Sequence, residues 1–421
     1  MKHLKYLSVT APLVVMQPCL ARDTSPVTSK LAIKDYLELA VQKNEVTRLN
    51  RAQKEQFEAK KDQALATVLP QLKLTGNYTQ QQALEGTTPD DNRSSTAKVG
   101  LSQPLLGLYK GSKTLDVAKK QLEATELGGD DSVVQFKLSI NESFHAVVSA
   151  ISDLSGYDEV QKIASKRVKE ISDRVKIGRS KPADLFAAQA QLASAEAQLE
   201  QSKTSVLTSR STLAQTSGLD LSADVVDGMT LPSKAEALET FLGVVNGLPA
   251  VKALEAQTDA SDAQITAVRA QRIPDLDLTA NYYLKRDERL KDVKWDVGLQ
   301  MSWPIYDGGL ISGRVREAAA QKSLYTEQLS QKRRLTEMKI RQYHQMFEAS
   351  LRTLPIFERA VTMAQKNHDA IAKDYRLGLA SVLDLIQSSN SLAEAKRVFN
   401  RQTVNAKSLF VALKLAAGQN L

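Results

Sequence analysis

Few side chains in this 421-residue sequence could do chemistry, and their spacing decides which chemistry that is. Of the histidines, His3 is in the leader, and His145, His344 and His368 lie singly on polar helices and read as solvated. None has the helical pairing or the cysteine partners of a metal site. Met, His and Cys form no cluster that would argue for a transition-metal cargo. Asp90-Asp91 and Gly308-Gly309 sit at turns without the flanking pattern of a cation or phosphate loop. No Ser, His and Asp set has a recognisable nucleophile arrangement. The sequence therefore argues against an enzyme and names no cofactor or metal. Two carboxylates stand out instead. Asp184 and Asp384 each follow a glycine, Gly178 and Gly378, by six residues, and the two sets are 200 residues apart. A carboxylate at a helix start caps the helix and suits its dipole. Several copies of it around one axis would favour uptake of a proton or cation. The sequence leaves both readings open.

Those aspartates belong to a duplicated stretch, Gly178 to Leu213 and Gly378 to Leu413, which align without a gap. In the first copy Leu185, Ala188, Leu192, Ala195, Leu199, Ser202, Val206, Ser209 and Leu213 recur at alternating steps of three and four. The same register in the second gives Leu385, Ser388, Leu392, Ala395, Phe399, Gln402, Ala406, Leu409 and Leu413. This is a coiled-coil seam with small residues, which predicts close-packed helices. The seam is narrow and partly polar, so each helix needs neighbours along its length. Upstream of each tip lies a longer helical stretch, about 111–177 and 312–377, each about 100 Å if continuous. Gly128-Gly129 and Pro355 are expected to interrupt them. A single polar helix is expected over 31–68.

Period-two alternation marks four strands. Leu72, Leu74, Gly76 and Tyr78 share one face, as do Ala97, Val99 and Leu101. In the second half Leu276, Leu278, Ala280, Tyr282 and Leu284 do so, followed by Trp295, Val297, Leu299, Met301 and Trp303. The opposite faces are polar. LPQLKLTGNY and IPDLDLTANY correspond, so the duplication includes the strands. Residues 80–95 and 285–294 read as polar loops. Trp295 and Trp303, eight residues and about 26 Å apart, match the spacing of two aromatic girdles around an apolar band about 25 Å tall. Four strands cannot close a barrel, and an open edge in lipid leaves backbone groups unsatisfied. A membrane reading therefore requires an oligomer. Two copies give eight strands and three give twelve.

Aromatic residues make up 5% of the chain, which suits long helices better than a thick core. The net charge is +8, or +6 without Lys2 and Lys5, and the basic residues are interleaved with acids rather than clustered. That pattern excludes a nucleic-acid patch. Residues 1–21 read as a secretory signal peptide cut after Ala21. The competing reading is a lipid-modified Cys19, although Met16, Gln17 and Pro18 depart from the usual residues before such a cysteine. The expected organisation has a first repeat at 22–218, with a strand pair at about 69–104 and long helices at about 111–217. An irregular segment at 219–249 follows. The second repeat, 250–421, has its strand pair at about 273–304 and long helices at about 312–418. The fold class is mixed and mainly α.

In this order and behind such a leader, the elements resemble the TolC-type outer-membrane efflux proteins. The resemblance is carried by VGLSQPLLGLYKGS (Val99 to Ser112) and VGLQMSWPIYDGGLISGRV (Val297 to Val315), where strand hands over to helix. It is carried also by RVKIGRSKPADLFAAQAQL (Arg174 to Leu192) and YRLGLASVLDLIQSSNSLAEA (Tyr375 to Ala395) at the tips. The resemblance implies a homotrimer whose chains share one twelve-stranded β-barrel in outer-membrane lipid, continued by a periplasmic α-barrel of coiled-coil helices. It implies a periplasmic adaptor (membrane fusion) protein and an inner-membrane pump or ABC exporter as partners. Small toxic molecules, or proteins in type I secretion, would be the cargo of a passive duct without a cofactor.

By the same resemblance Asp184, Tyr375 and Asp384 stand at the periplasmic aperture. Gly178 and Gly378 are tip turns that meet the adaptor, and Trp295 and Trp303 form the membrane girdle. Ala380 stands where the family's best-known member has an arginine partner and Gln387 where it has a second aspartate, which implies fewer closing links and a less acidic aperture. The rival reading is a periplasmic coiled-coil adaptor or scaffold without a barrel, which would have no need of four strands.

Overall fold

A computed structural model describes residues 31–80, 93–219, 225–286 and 292–419. The leader, Cys19, Asp90-Asp91 and most of both polar loops lie outside the described residues. The chain begins with two helices, α1 (Ile33–Lys43) and α2 (Glu45–Ala66). This corrects the expectation of one helix over 31–68. Asn44 has extended backbone, and its side chain accepts from Val46 N, so it ends one helix and caps the next.

Strands β1 (Gln71–Gln80) and β2 (Arg93–Pro104) follow, then α3 (Gly107–Lys176) and α4 (Pro182–Ser217). The described part of the inter-repeat segment contributes a short helix, α5 (Leu238–Leu242), and a 3-10 turn at Val245–Gly247. The second half repeats the plan with α6 (Pro249–Ala270), β3 (Asp275–Arg286), β4 (Trp295–Ser302), α7 (Leu310–Leu377) and α8 (Val382–Ala416). Strands β2 and β3 are each longer than their alternation suggested. Strand β4 stops at Ser302, so Trp303 directly follows it.

The long helices are not interrupted, contrary to expectation. Helix α3 runs 70 residues through Gly128-Gly129, and α7 runs 68 residues through Pro355. Neighbouring helices supply what local propensity lacks. Asn50 Nδ2 on α2 donates to the Gly129 carbonyl at 2.9 Å. Pro355 lies on an exposed position, where water can satisfy the carbonyl that loses its amide partner.

Counterpart helices match in length between the halves: α2 and α6 have 22 residues each, and α4 and α8 have 36 and 35. Helix α3 packs with α2 and α6 toward the sheet, and with α4 and α8 toward the tips; α7 packs with α6 and then α8. A short helix and a medium helix thus stack end to end beside each long one. Together they span about 87 Å against about 105 Å for α3. The joints are visible. Gly218, left-handed at φ 70°, ends α4, and Asn44 Nδ2 donates to Ser217 O at 2.9 Å where α2 begins. Gly418 (φ 68°) follows α8, and a Cβ there would lie 2.9 Å from Leu248, which precedes α6.

The core sits at these joints. Tyr36, Phe144, Leu213 and Val411 pack around the first, and Phe241, Phe347, Ile340 and Leu413 around the second. The seams of α4 and α8 are buried or half-buried at every position that the heptad register picked out.

The four strands form one antiparallel sheet in the order β1-β2-β3-β4. The register aligns Leu74, Val99, Tyr282 and Trp295 in one row, and Leu72, Leu101, Ala280 and Val297 in the next. Lys73, Gly100, Asn281 and Asp296 form a row of the other face. Because side chains alternate with period two, the sheet has one apolar and one polar face.

Candidate functional site

Among the described residues nothing covers the sheet's apolar face. Leu74 is 73% exposed, and Trp295, Leu299 and Met301 are 66% exposed each. This row-on-row exposure far exceeds the scattered apolar residues normal on a soluble surface. Trp303, just beyond β4, is also exposed, and its Nε1 donates to Arg272 O at 3.3 Å. Ile305 and Tyr306 continue the belt with about nine-tenths of their surface free. On the polar face Asn281 Nδ2 donates to Asp296 at 2.8 Å. Among the described residues β1 and β4 each present an unpaired edge. Among the described residues no helix is long and apolar enough to cross a membrane.

The tips lie at the opposite end of the long helices. At each, a glycine takes left-handed backbone, Gly178 at φ 72° and Gly378 at φ 80°. Arg179 N then donates to Arg174 O at 2.8 Å, and Leu379 N to Asp374 O at 2.9 Å, closing the helix end. A Cβ at either glycine would meet nothing within 4 Å, so the backbone angle rather than crowding calls for glycine.

Both tip aspartates cap the helix that follows. Asp184 Oδ2 accepts from Lys181 N at 3.1 Å and Ser180 Oγ at 2.9 Å. Asp384 Oδ2 accepts from Ser381 Oγ at 2.7 Å and Ser381 N at 2.9 Å. The Ser381 hydroxyl and amide hold the Asp384 carboxyl below the ordinary carboxylate range. The capping reading is thus realised, and both carboxylates remain near the turn surface.

Tyr375 is buried in the tip core with Ile171, Ala188, Val382 and Leu385. The Arg174 guanidinium lies 4.7 Å from its ring centroid. Its hydroxyl is buried without a hydrogen-bond partner among the described residues. Sequence reasoning missed the exposed apolar residues that crown both tips: Ile177, Phe186, Leu377, Leu379 and Leu383. Their signal was available, since each falls outside the heptad seam.

His145, His344 and His368 are not solvated as expected, while His3 lies outside the described residues. His145 is buried, with Nδ1 2.9 Å from Asn141 O, and burial pushes its pKa down. His344 is buried with Nε2 2.8 Å from Glu236 O. His368 is half-buried between α7 and α8, with Nδ1 3.2 Å from Ser388 Oγ, and burial lowers its pKa too. The neighbouring helices that cover them cannot be seen from the polar sequence around each one. Among the described residues no group of three or more His, Cys, Asp or Glu could hold a metal ion.

The family model described as "Outer membrane efflux protein" matches residues 37–219 and 246–419. Outer membrane protein TolC of Escherichia coli (strain K12) is 24% identical over 357 residues, covering 80% of this chain and 72% of that protein. Protein CyaE of Bordetella pertussis is 23% identical over 401 residues, covering 92% and 84%. The crystal structure of the outer membrane protein VceC from Vibrio cholerae superposes with a TM-score of 0.81 at 21% identity, covering 92% of this chain and 96% of that one.

Proposed function

The chain belongs to the outer membrane efflux protein family, and from that premise we propose that three copies close one barrel and form the exit duct of a tripartite export machine. Its place is the outer membrane, with the helices reaching into the periplasm. The observation that carries the proposal is the sheet: apolar on one face, polar on the other, and unpaired at both edges. Strand directions alternate, so β4 of one copy meets β1 of the next in the antiparallel sense. Twelve strands then satisfy every edge, with the apolar faces toward lipid and the polar faces toward a water-filled lumen.

In the same assembly α7 of one copy would lie beside α4 of the next, because the helices of one chain order as α4, α3, α8 and α7 toward the tips. The long helices would continue the duct by about 100 Å. Trp295 and Trp303 would mark the two membrane boundaries. Asp184, Tyr375 and Asp384 would line or hold the periplasmic aperture, and the glycine turns with their apolar crown would receive a periplasmic adaptor. An inner-membrane pump or ABC exporter would supply energy and cargo, either small toxic molecules or secreted proteins. The duct itself performs no reaction, so this reading has no catalytic residue. Family membership sets aside the adaptor or scaffold alternative.

The test is the mass and location of the purified mature protein. Membranes are fractionated, the protein is extracted in mild detergent, and the particle is weighed by light scattering with the detergent subtracted. A detergent-dependent trimer from the outer membrane is expected. A soluble periplasmic monomer would refute the shared barrel.

A further inference from the structure

Above the tips, the α3–α4 hairpin and the α7–α8 hairpin do not pack solidly. They leave a cleft of about 120 Å³, open on one side. Its apolar wall includes Ile163, Ile386 and Leu392. Its charged groups are mainly positive: Arg167 from α3, with Lys396 and Arg397 from α8, against the single carboxylate Glu159.

The two guanidiniums are largely withdrawn from water, with side chains 19% and 23% exposed. Each pairs with a glutamate one turn away on its own helix, Glu170 and Glu394 respectively, and neither glutamate lines the cleft. Arg397 also reaches the Tyr157 hydroxyl, and Lys396 pairs with Glu159 at 3.3 Å at the more exposed rim. Each guanidinium carries five donors, which leaves capacity for a second anion. His368 lines the cleft from α7.

Gly156 is the second sign of a kept space. It lies inside α3, where glycine weakens a helix. A Cβ there would meet no atom within 4 Å, so close packing does not require glycine. Gly156 lines the cleft beside Ser152 and Ser155, and Ala393 faces it from α8.

We propose that this cleft binds an amphipathic organic anion, with a flat apolar body between the hairpins and its carboxylate or sulfonate on Arg167, Arg397 and Lys396. A bound anion bridges α3 to α8 and so ties the two hairpins together just above the tips. Its effect on the duct rests on the export reading; the binding itself does not.

The test uses the full mature chain in lipid nanodiscs, with empty nanodiscs as reference and 2-naphthalenesulfonate as probe in equilibrium dialysis. Saturable binding at one site per chain is expected, with neutral 2-naphthalenemethanol binding at least about tenfold more weakly. Gly156→Leu fills the cleft, and the double variant Lys396→Gln/Arg397→Gln removes two cations; each is expected to weaken the sulfonate at least about tenfold. Binding no greater than to empty nanodiscs, equal binding of the neutral probe, or unchanged affinity in both variants would overturn the proposal. If Gly156→Leu fails to assemble, Ala393→Leu fills the cleft from the facing helix, and unchanged affinity there overturns it equally. Particle mass is measured on each sample, so failure to form a trimer counts against the export reading and is scored separately.

Discussion

A lysine in place of Leu299 separates a lipid-facing sheet from a soluble one. Leu299 is 66% exposed and pairs with Leu278 across the ladder. It lies four residues from Trp295 and four from Trp303, about 13 Å along the strand from each, which is the middle of the apolar band. On a soluble protein an exposed leucine changed to lysine shifts stability by no more than about 0.5 kcal/mol. At the midplane of a bilayer the same change costs about 2–4 kcal/mol per chain. Three distant copies in one barrel add to about 6–12 kcal/mol. Per chain this is roughly a 30- to 700-fold shift in the folding equilibrium. The assay is refolding from denaturant into lipid vesicles, followed by heat-modifiable migration on gels. Gln300→Lys is the matched control, because residue 300 points to the opposite, polar face and pairs with Asp277; it is expected to refold normally. If Leu299→Lys refolds as well as Gln300→Lys, the apolar face does not meet lipid and the barrel argument fails.

Other perturbations reach the tips and the core. Gly378→Ala places a Cβ at φ 80° and is expected to cost about 1–2 kcal/mol, read as faster hydrogen exchange at Leu379 N–H; an unchanged rate would contradict the strained-turn account. Asp384→Ala removes the carboxylate half of the capping box, leaving the Ser381 cap on the residue-384 amide, and takes one carboxylate per chain from the proposed aperture. Planar-bilayer recordings are expected to show lower cation preference and weaker block by divalent cations, and unchanged selectivity would leave Asp384 as a cap alone. Burial lowers the pKa of His145 and of His368. Below the ordinary histidine value of about 6.5 the unfolded chain therefore takes up protons that the folded chain does not, and stability falls with pH through that window. His145→Gln/His368→Gln is expected to flatten the change in denaturation midpoint between pH 7.5 and 5.5, and a slope as steep as wild type would show that other groups set it.

Much of this protein is legible in its sequence because its elements are periodic and repeated. The heptad steps from Leu185 to Leu213 and from Leu385 to Leu413 named the buried side of α4 and α8, since a 3.5-residue period leaves one seam for neighbours. Alternation gave the two faces of every strand, since a strand has no third direction for a side chain. Where the sequence misled, local propensity competed with packing and lost. Gly128-Gly129 and Pro355 look like breaks, yet α3 passes the glycines where Asn50 of α2 holds the Gly129 carbonyl, and α7 passes Pro355 at an exposed position where water can take the freed carbonyl. Asn44 looks like an ordinary polar position, yet it divides α1 from α2 because its side chain is used by the end of α4, 173 residues away.

The duplicated helix-strand plan, the apolar and polar faces, and the glycine turns can be read directly from residue order, because each is a short-range pattern with a fixed period or backbone angle. Only the packed chain reveals the end-to-end stacking of α4 on α2 and α8 on α6, the burial of His145 and His344, and the open cleft lined by Gly156. Those depend on which distant surfaces come within a few ångströms of one another, and no local pattern in a single chain encodes that distance.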